Sequence, residues 1–114
     1  MRNKFNASKH YIDGIRFDSG KEAERYLVLK DKQKRGEIYA LQVHKPYVIV
    51  DRKRVGKHSI AERKYIPDFV YYRSGTNELV VEDVKGYKKG TPYQLFTLKK
   101  ALMFEKHGIW VHEV

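Results

Sequence analysis

Two carboxylates and a lysine have the types and spacing for phosphodiester chemistry. Asp68 stands between Ile66 and Val70, and Asp83 and Lys85 lie two apart in the run Val80-Val81-Glu82-Asp83-Val84-Lys85. Side chains alternate across a strand, so Ile66, Asp68 and Val70 would share one face. On the next strand Val81, Asp83 and Lys85 share one face, and Val80, Glu82 and Val84 the other. An acid among apolar neighbours is costly to bury unless it is paired or binds a metal. Asp68 and Asp83 on adjacent strands, with an ammonium two residues after one of them, make a site for a hard cation. Mg²⁺ is held by one or two carboxylates together with waters and phosphate oxygens, and it can polarise a phosphodiester and lower the pKa of a bound water. Glu82, on the opposite face, reads as a surface or sheet-stabilising acid.

The elements that must carry these residues are legible in outline. Residues 1–16 read as a loose arm with a short hairpin at Asp13-Gly14. Ser19 is a good N-cap and Glu22 completes a capping box. Ala23, Tyr26, Leu27 and Lys30 recur at helical spacing, and Arg35-Gly36 ends the run, which gives a helix over about 20–35. Strands follow at 38–43 and 47–51, then an exposed turn at Arg52-Lys53-Arg54 with Gly56. A strand over 64–72 turns through Ser74-Gly75-Thr76-Asn77 into a strand over 78–85. Leu95, Leu98, Leu102 and Met103 mark a second helix over about 92–106, and 109–114 is a final strand. The unit 78–85, helix, 109–114 predicts a parallel crossover, whereas the preceding hairpin is antiparallel. The fold class is therefore α/β, a small mixed sheet flanked by helices in one domain over 1–114.

Composition narrows the partner. The 114 residues include 24 Lys and Arg against 14 Asp and Glu, a net charge of +10, which is the footprint of a nucleic-acid binder. Residues 1–64 hold 17 basic and 8 acidic residues, and 65–114 hold 7 and 6, so DNA or RNA would grip mainly the first region. With no cysteine, disulfides, thiol nucleophiles and cysteine-based zinc sites are excluded. No apolar run approaches the roughly 18 residues of a membrane span, and no secretory signal opens the chain, which predicts a soluble cytoplasmic protein. The five histidines, His10, His44, His58, His107 and His112, show no zinc spacing and read as surface or DNA-contacting residues. Tyr65, Phe69, Tyr71 and Tyr72 read as core rings, with base stacking as the alternative. Arg52, Lys53, Arg54 and Lys57 are candidate phosphate contacts, or else an ordinary solvated loop.

At the chemical residues the sequence resembles a known family. Pro67-Asp68, a hairpin, and Asp83-Val84-Lys85 match the PD-(D/E)XK signature of the restriction-endonuclease-like nucleases, and Phe17-Asp18-Ser19-Gly20-Lys21-Glu22 resembles the F-x-S-x-x-E pattern of their first helix. More narrowly, the chain is similar to small phage and prophage proteins of that superfamily, with F-D-S-x-x-E-A-x-x-Y, D-F-V-Y-Y and V-x-D-V-K-G in order over nearly the whole length. The resemblance implies a restriction-endonuclease-like core. Asp68 and Asp83 would be metal ligands, joined by Glu22 directly or through water, and Lys85 would orient the attacking water. The cofactor would be Mg²⁺, with Mn²⁺ able to substitute. It also implies polar or basic contacts on and before the next helix, for which Lys88, Lys89, Tyr93 and Lys99 are the DNA-binding candidates, beside Thr91 and Gln94. The layout resembles that of Holliday-junction resolvases, with a nicking or general DNA-processing role as the alternative, and cutting two strands symmetrically would call for a homodimer. The competing reading is a non-catalytic nucleic-acid-binding protein that keeps the nuclease fold. Locally, Glu22 is equally well explained as a capping acid, Asp83 and Lys85 as a solvated edge pair, and Asp68 as a hydrogen-bond acceptor near a turn.

Overall fold

A computed structural model of the chain describes residues 10–86 and 88–114. The arm expected over 1–16 falls largely on residues 1–9, outside the described residues. Its hairpin is present: β1 (His10–Ile12) pairs antiparallel with β2 (Ile15–Phe17). Asp13 and Gly14 both take positive φ, 54° and 77°, the backbone that a two-residue Asp-Gly turn requires.

Helix α1 (Gly20–Lys34) starts at Ser19, whose side chain accepts a hydrogen bond from the Glu22 N–H at 3.2 Å. Ala23, Tyr26 and Leu29 are its buried residues, whereas Leu27 is exposed. The buried stripe centres on Tyr26, and at 100° per residue Leu27 turns away from it. Gly36, with φ 80°, ends the helix in the left-handed conformation that suits glycine.

The main sheet has the order β10-β9-β8-β3. It comprises β3 (Ile38–Val43), β8 (Phe69–Arg73), β9 (Leu79–Asp83) and β10 (Val111–Glu113). β3 and β9 run antiparallel to β8, and β10 runs parallel to β9. Helix α2 (Gly90–His107) makes the crossover between β9 and β10. The ladder reaches Lys85, whose N–H donates to the Val114 carbonyl at 3.0 Å. Two side-chain clusters cover the faces. Phe17, Tyr26, Leu29, Phe69, Tyr71 and Val80 pack under α1. Val70, Val81, Phe96, Met103 and Val111 pack under α2, with Ile49 and Tyr65. The chain is a small α/β protein with a mixed sheet between helices, and no helix among the described residues is long and apolar enough to cross a membrane.

Four expectations are corrected. The strand expected over 64–72 is two strands, β7 (Arg63–Tyr65) and β8. Pro67 has no N–H to give a ladder, and across the break β7 pairs with β4 (Tyr47–Val50) instead of continuing in the main sheet. Ile66 is therefore 54% exposed while Val70 is buried, so the two do not share one strand face. Arg52-Lys53-Arg54 and Gly56 do not form a simple turn but contribute to an exposed two-stranded ribbon, β5 (Lys53–Val55) with β6 (His58–Ile60). Along α2, Phe96 and Met103 are the buried residues, whereas Leu95 and Leu98 are 50% and 55% exposed. Tyr65, Phe69 and Tyr71 are core rings, but Tyr72 is exposed and stacks on Tyr39 across the strand pair, with ring centroids 5.3 Å apart.

Candidate active site

Strand β9 sends its two consecutive acids to opposite faces. Glu82, 2% exposed, turns toward α1. It accepts hydrogen bonds from Arg25 Nε at 2.8 Å and Nη2 at 2.6 Å and from the Tyr71 hydroxyl. This acid is thus buried rather than on the surface, and it is satisfied by a bidentate guanidinium. Burial and the Glu82 carboxylate together push the Tyr71 hydroxyl pKa up.

Asp83, 7% exposed, turns the other way. Its Oδ2 accepts the Tyr65 hydroxyl at 2.5 Å and lies 3.5 Å from Lys85 Nζ. Asp68, at the proline break before β8, meets Asp83 side chain to side chain, and its Oδ2 accepts the Val84 N–H at 2.7 Å. The Asp68 carboxyl is pushed up to about 8, first by burial, then by the hydrogen bond and the charge of Asp83, with the Val84 N–H opposing and Glu22 adding to the rise. Two carboxylates in contact resist ionising together. Burial is also the main cause that raises Glu22, followed by the charge of Asp18, while His44 and Ser19 oppose it.

Lys85 is held by its surroundings. Its ammonium sits 3.9 Å from the centroid of the Phe96 ring, a cation–π contact, and its carbonyl accepts Lys21 Nζ at 2.7 Å. Glu22, Asp68, Asp83 and Lys85 all line one open cleft of about 440 Å³, with Lys64 and Lys99 among its other walls. The lining thus brings acids and lysines together.

Within the cleft Asp68 is the pivot. It touches Asp83 on one side. On the other, the ligand atoms of Glu22, His44 and Asp68 lie within 4.8 Å of one another, a group that does not include Asp83. Glu22, Asp68 and Asp83 therefore share the cleft without forming one tight trio. His44 is the residue that the spacing of the histidines gave no reason to choose. Its signal lies in register: Val43 pairs with Phe69, so the residue after β3 comes beside the residue before β8. The donors present, the carboxyl oxygens of Asp68 and Asp83 facing each other with Glu22 nearby, fit a hard divalent cation held by Asp68 with Asp83 or with Glu22.

The candidate DNA contacts fall into three groups. Arg52, Lys53, Arg54 and Lys57 are exposed on or beside the β5–β6 ribbon, which is inserted between β4 and β7, and β7 supplies Lys64 and Tyr65 to the cleft. Lys99 lines the cleft, and Lys89 is exposed at the start of α2. Tyr93 and Lys88 are already engaged. The Tyr93 hydroxyl donates to Glu113 at 2.9 Å, and Lys88 lies 3.7 Å from the same carboxylate, which Lys100 also meets at 2.8 Å.

The fold and the cleft define a small α/β protein with a cleft lined by acids and lysines at the end of its sheet. A family model described as "Protein of unknown function (DUF1064)" matches residues 2–112, and the chain belongs to that family. No curated protein and no solved structure matches it.

Proposed function

We propose that the chain is a metal-dependent endonuclease with a restriction-endonuclease-like core, hydrolysing DNA phosphodiesters. The observation that carries this reading is the convergence of Glu22, Asp68, Asp83 and Lys85 on one cleft from three separate segments. Asp68 and Asp83 would hold Mg²⁺ or Mn²⁺, with Glu22 reaching the ion directly or through water. When bound, the ion supplies charge to polarise the phosphate and to acidify a water. Lys85, backed by the Phe96 ring and drawn toward Asp83, orients that water and offsets the charge that grows on the phosphate. Lys64 and Lys99 in the cleft wall, and the ribbon bearing Arg52, Lys53 and Arg54, hold the DNA backbone through phosphates.

A role in phage or prophage DNA processing, in the host cytoplasm and as a homodimer acting on branched DNA, extends the same proposal. The second reading, nucleic-acid binding without cleavage, is favoured by the exposed basic ribbon. Labelled linear duplex, single strand, flap and four-way junction, each with Mg²⁺ and with chelator, separate the two. Metal-dependent strand cleavage supports the nuclease. Binding of the same substrates with no cleavage in Mg²⁺ or Mn²⁺ supports the binder.

A further inference from the structure

We propose that Glu22, His44 and Asp68 form a mixed carboxylate–imidazole cation position that favours Mn²⁺ and similar transition metals over Mg²⁺. It deepens the nuclease reading and rests on it for its use, but the binding itself requires no cleavage. The three side chains come from separate places: the first turn of α1, the residue after β3 and the residue before β8. Their ligand atoms nevertheless lie within 4.8 Å of one another, a spread that one ion can bridge with small side-chain adjustments.

His44 is held there by its backbone. It takes a φ of 59°, the left-handed region that few non-glycine residues enter. Its N–H donates to the Asp68 carbonyl at 3.2 Å, and its ring lies beside Phe17, with centroids 6.1 Å apart. The ring also remains exposed, so an ion can reach it.

The donor chemistry sets the preference. Mg²⁺ binds through oxygen and gives up its water reluctantly. Imidazole nitrogen suits transition metals, and carboxylates suit Mg²⁺ and Mn²⁺ alike. A position with two carboxylates and one imidazole therefore discriminates through the nitrogen. Asp68 is shared, facing Asp83 on one side and the Glu22–His44 pair on the other. The oxygen-only side serves Mg²⁺, and the His44 side gains affinity only for a metal that accepts nitrogen.

The test uses the metal alone. Mn²⁺ is added to the full chain, and electron spin echoes are read for nitrogen modulation, which reports an imidazole bonded to the ion. The unaltered protein should show it, and His44→Asn should not; asparagine tolerates the left-handed backbone, so that variant keeps the loop. By calorimetry His44→Asn should lose at least about tenfold in Mn²⁺ affinity while Mg²⁺ affinity changes by no more than about twofold. Should the variant fail to fold, the unaltered protein labelled with ¹⁵N-histidine decides instead, because the modulation should change to the ¹⁵N pattern only if a histidine nitrogen is bonded to the ion. Absence of nitrogen modulation, its persistence in His44→Asn, equal losses for the two metals, or modulation unchanged by the ¹⁵N-histidine label would each overturn the inference. DNA cleavage by the unaltered protein is scored separately. Cleavage without nitrogen modulation sinks this inference alone, and nitrogen modulation without cleavage sinks the nuclease reading alone.

Discussion

Glu82 and Asp83 are consecutive, both acidic and both buried, yet the sheet gives them opposite circumstances. On the α1 face Glu82 meets a bidentate Arg25 and the Tyr71 hydroxyl, so its charge is closed within the protein. On the α2 face Asp83 meets a second carboxylate, Asp68, a tyrosine hydroxyl, and an ammonium at 3.5 Å. There two carboxyls face one ammonium, and Asp68 keeps a proton that a cation could replace. A closed buried pair fastens a helix to a strand. An open one is poised for a cation from outside, and this difference, more than the presence of acids, separates scaffold from site. Four perturbations probe that contrast.

The largest effect is expected at Lys85. Lys85→Ala should abolish cleavage in Mg²⁺ while metal affinity measured by calorimetry stays largely intact, because the ammonium acts toward water and phosphate. Cleavage at the parent rate would remove Lys85 from the chemistry.

The open face should also make the metal-free protein pH-sensitive. The unfolded chain releases the Asp68 proton near its ordinary value of 3.8, whereas the folded protein holds it until about 8. Between those values the native state binds more protons than the unfolded state, so stability falls as pH rises. Saturating Mg²⁺ should flatten that fall, since the ion takes the place of the proton. Denaturant midpoints across this range, with and without Mg²⁺, check both statements. A metal-free midpoint that rises with pH would contradict the placement of Asp68 against Asp83, provided the other groups are accounted for by Asp68→Asn.

Tyr65→Phe removes the hydroxyl that holds Asp83 and leaves the ring in the core. Metal affinity should fall by about 10- to 100-fold, the usual effect of losing a group that orients a ligand, and stability by about 1 kcal/mol. Calorimetry and denaturant melts read the two. The smallest effect belongs to the ribbon. Replacing Arg52, Lys53 and Arg54 with alanine should flatten the dependence of DNA affinity on salt, by up to about 0.9 in slope for each phosphate no longer neutralised, with metal affinity unchanged. An unchanged slope would take the ribbon off the DNA-facing surface.

Much of this contrast was legible in the sequence. Strand alternation alone separates Glu82 from Asp83, and the capping box of Ser19 and Glu22 fixes where α1 begins. What stayed hidden depended on pairing between distant segments. The alternation of Ile66, Asp68 and Val70 failed because Pro67 ends one ladder and β7 leaves for another partner. Arg25 gives no local sign that it will reach Glu82, 57 residues on. Tyr65 reads correctly as a core ring, but its hydroxyl finds Asp83 only through the fold. His44 becomes visible only once β3 is set in register against β8. Leu95 and Leu98 follow a helical period, but the sheet covers the stripe that holds Phe96 and Met103.

Asp83 belongs to an open site and Glu82 to a closed scaffold, and one paired measurement tests that division. Asp83→Asn and Glu82→Gln are compared for cleavage of the best substrate in Mg²⁺ and for denaturant midpoint, with folding checked by circular dichroism. Asp83→Asn should lose cleavage and keep its stability. Glu82→Gln should lose about 2 kcal/mol, the value of hydrogen bonds to a charged group, and still cleave in its folded fraction. A folded, inactive Glu82→Gln beside an active Asp83→Asn would contradict the division.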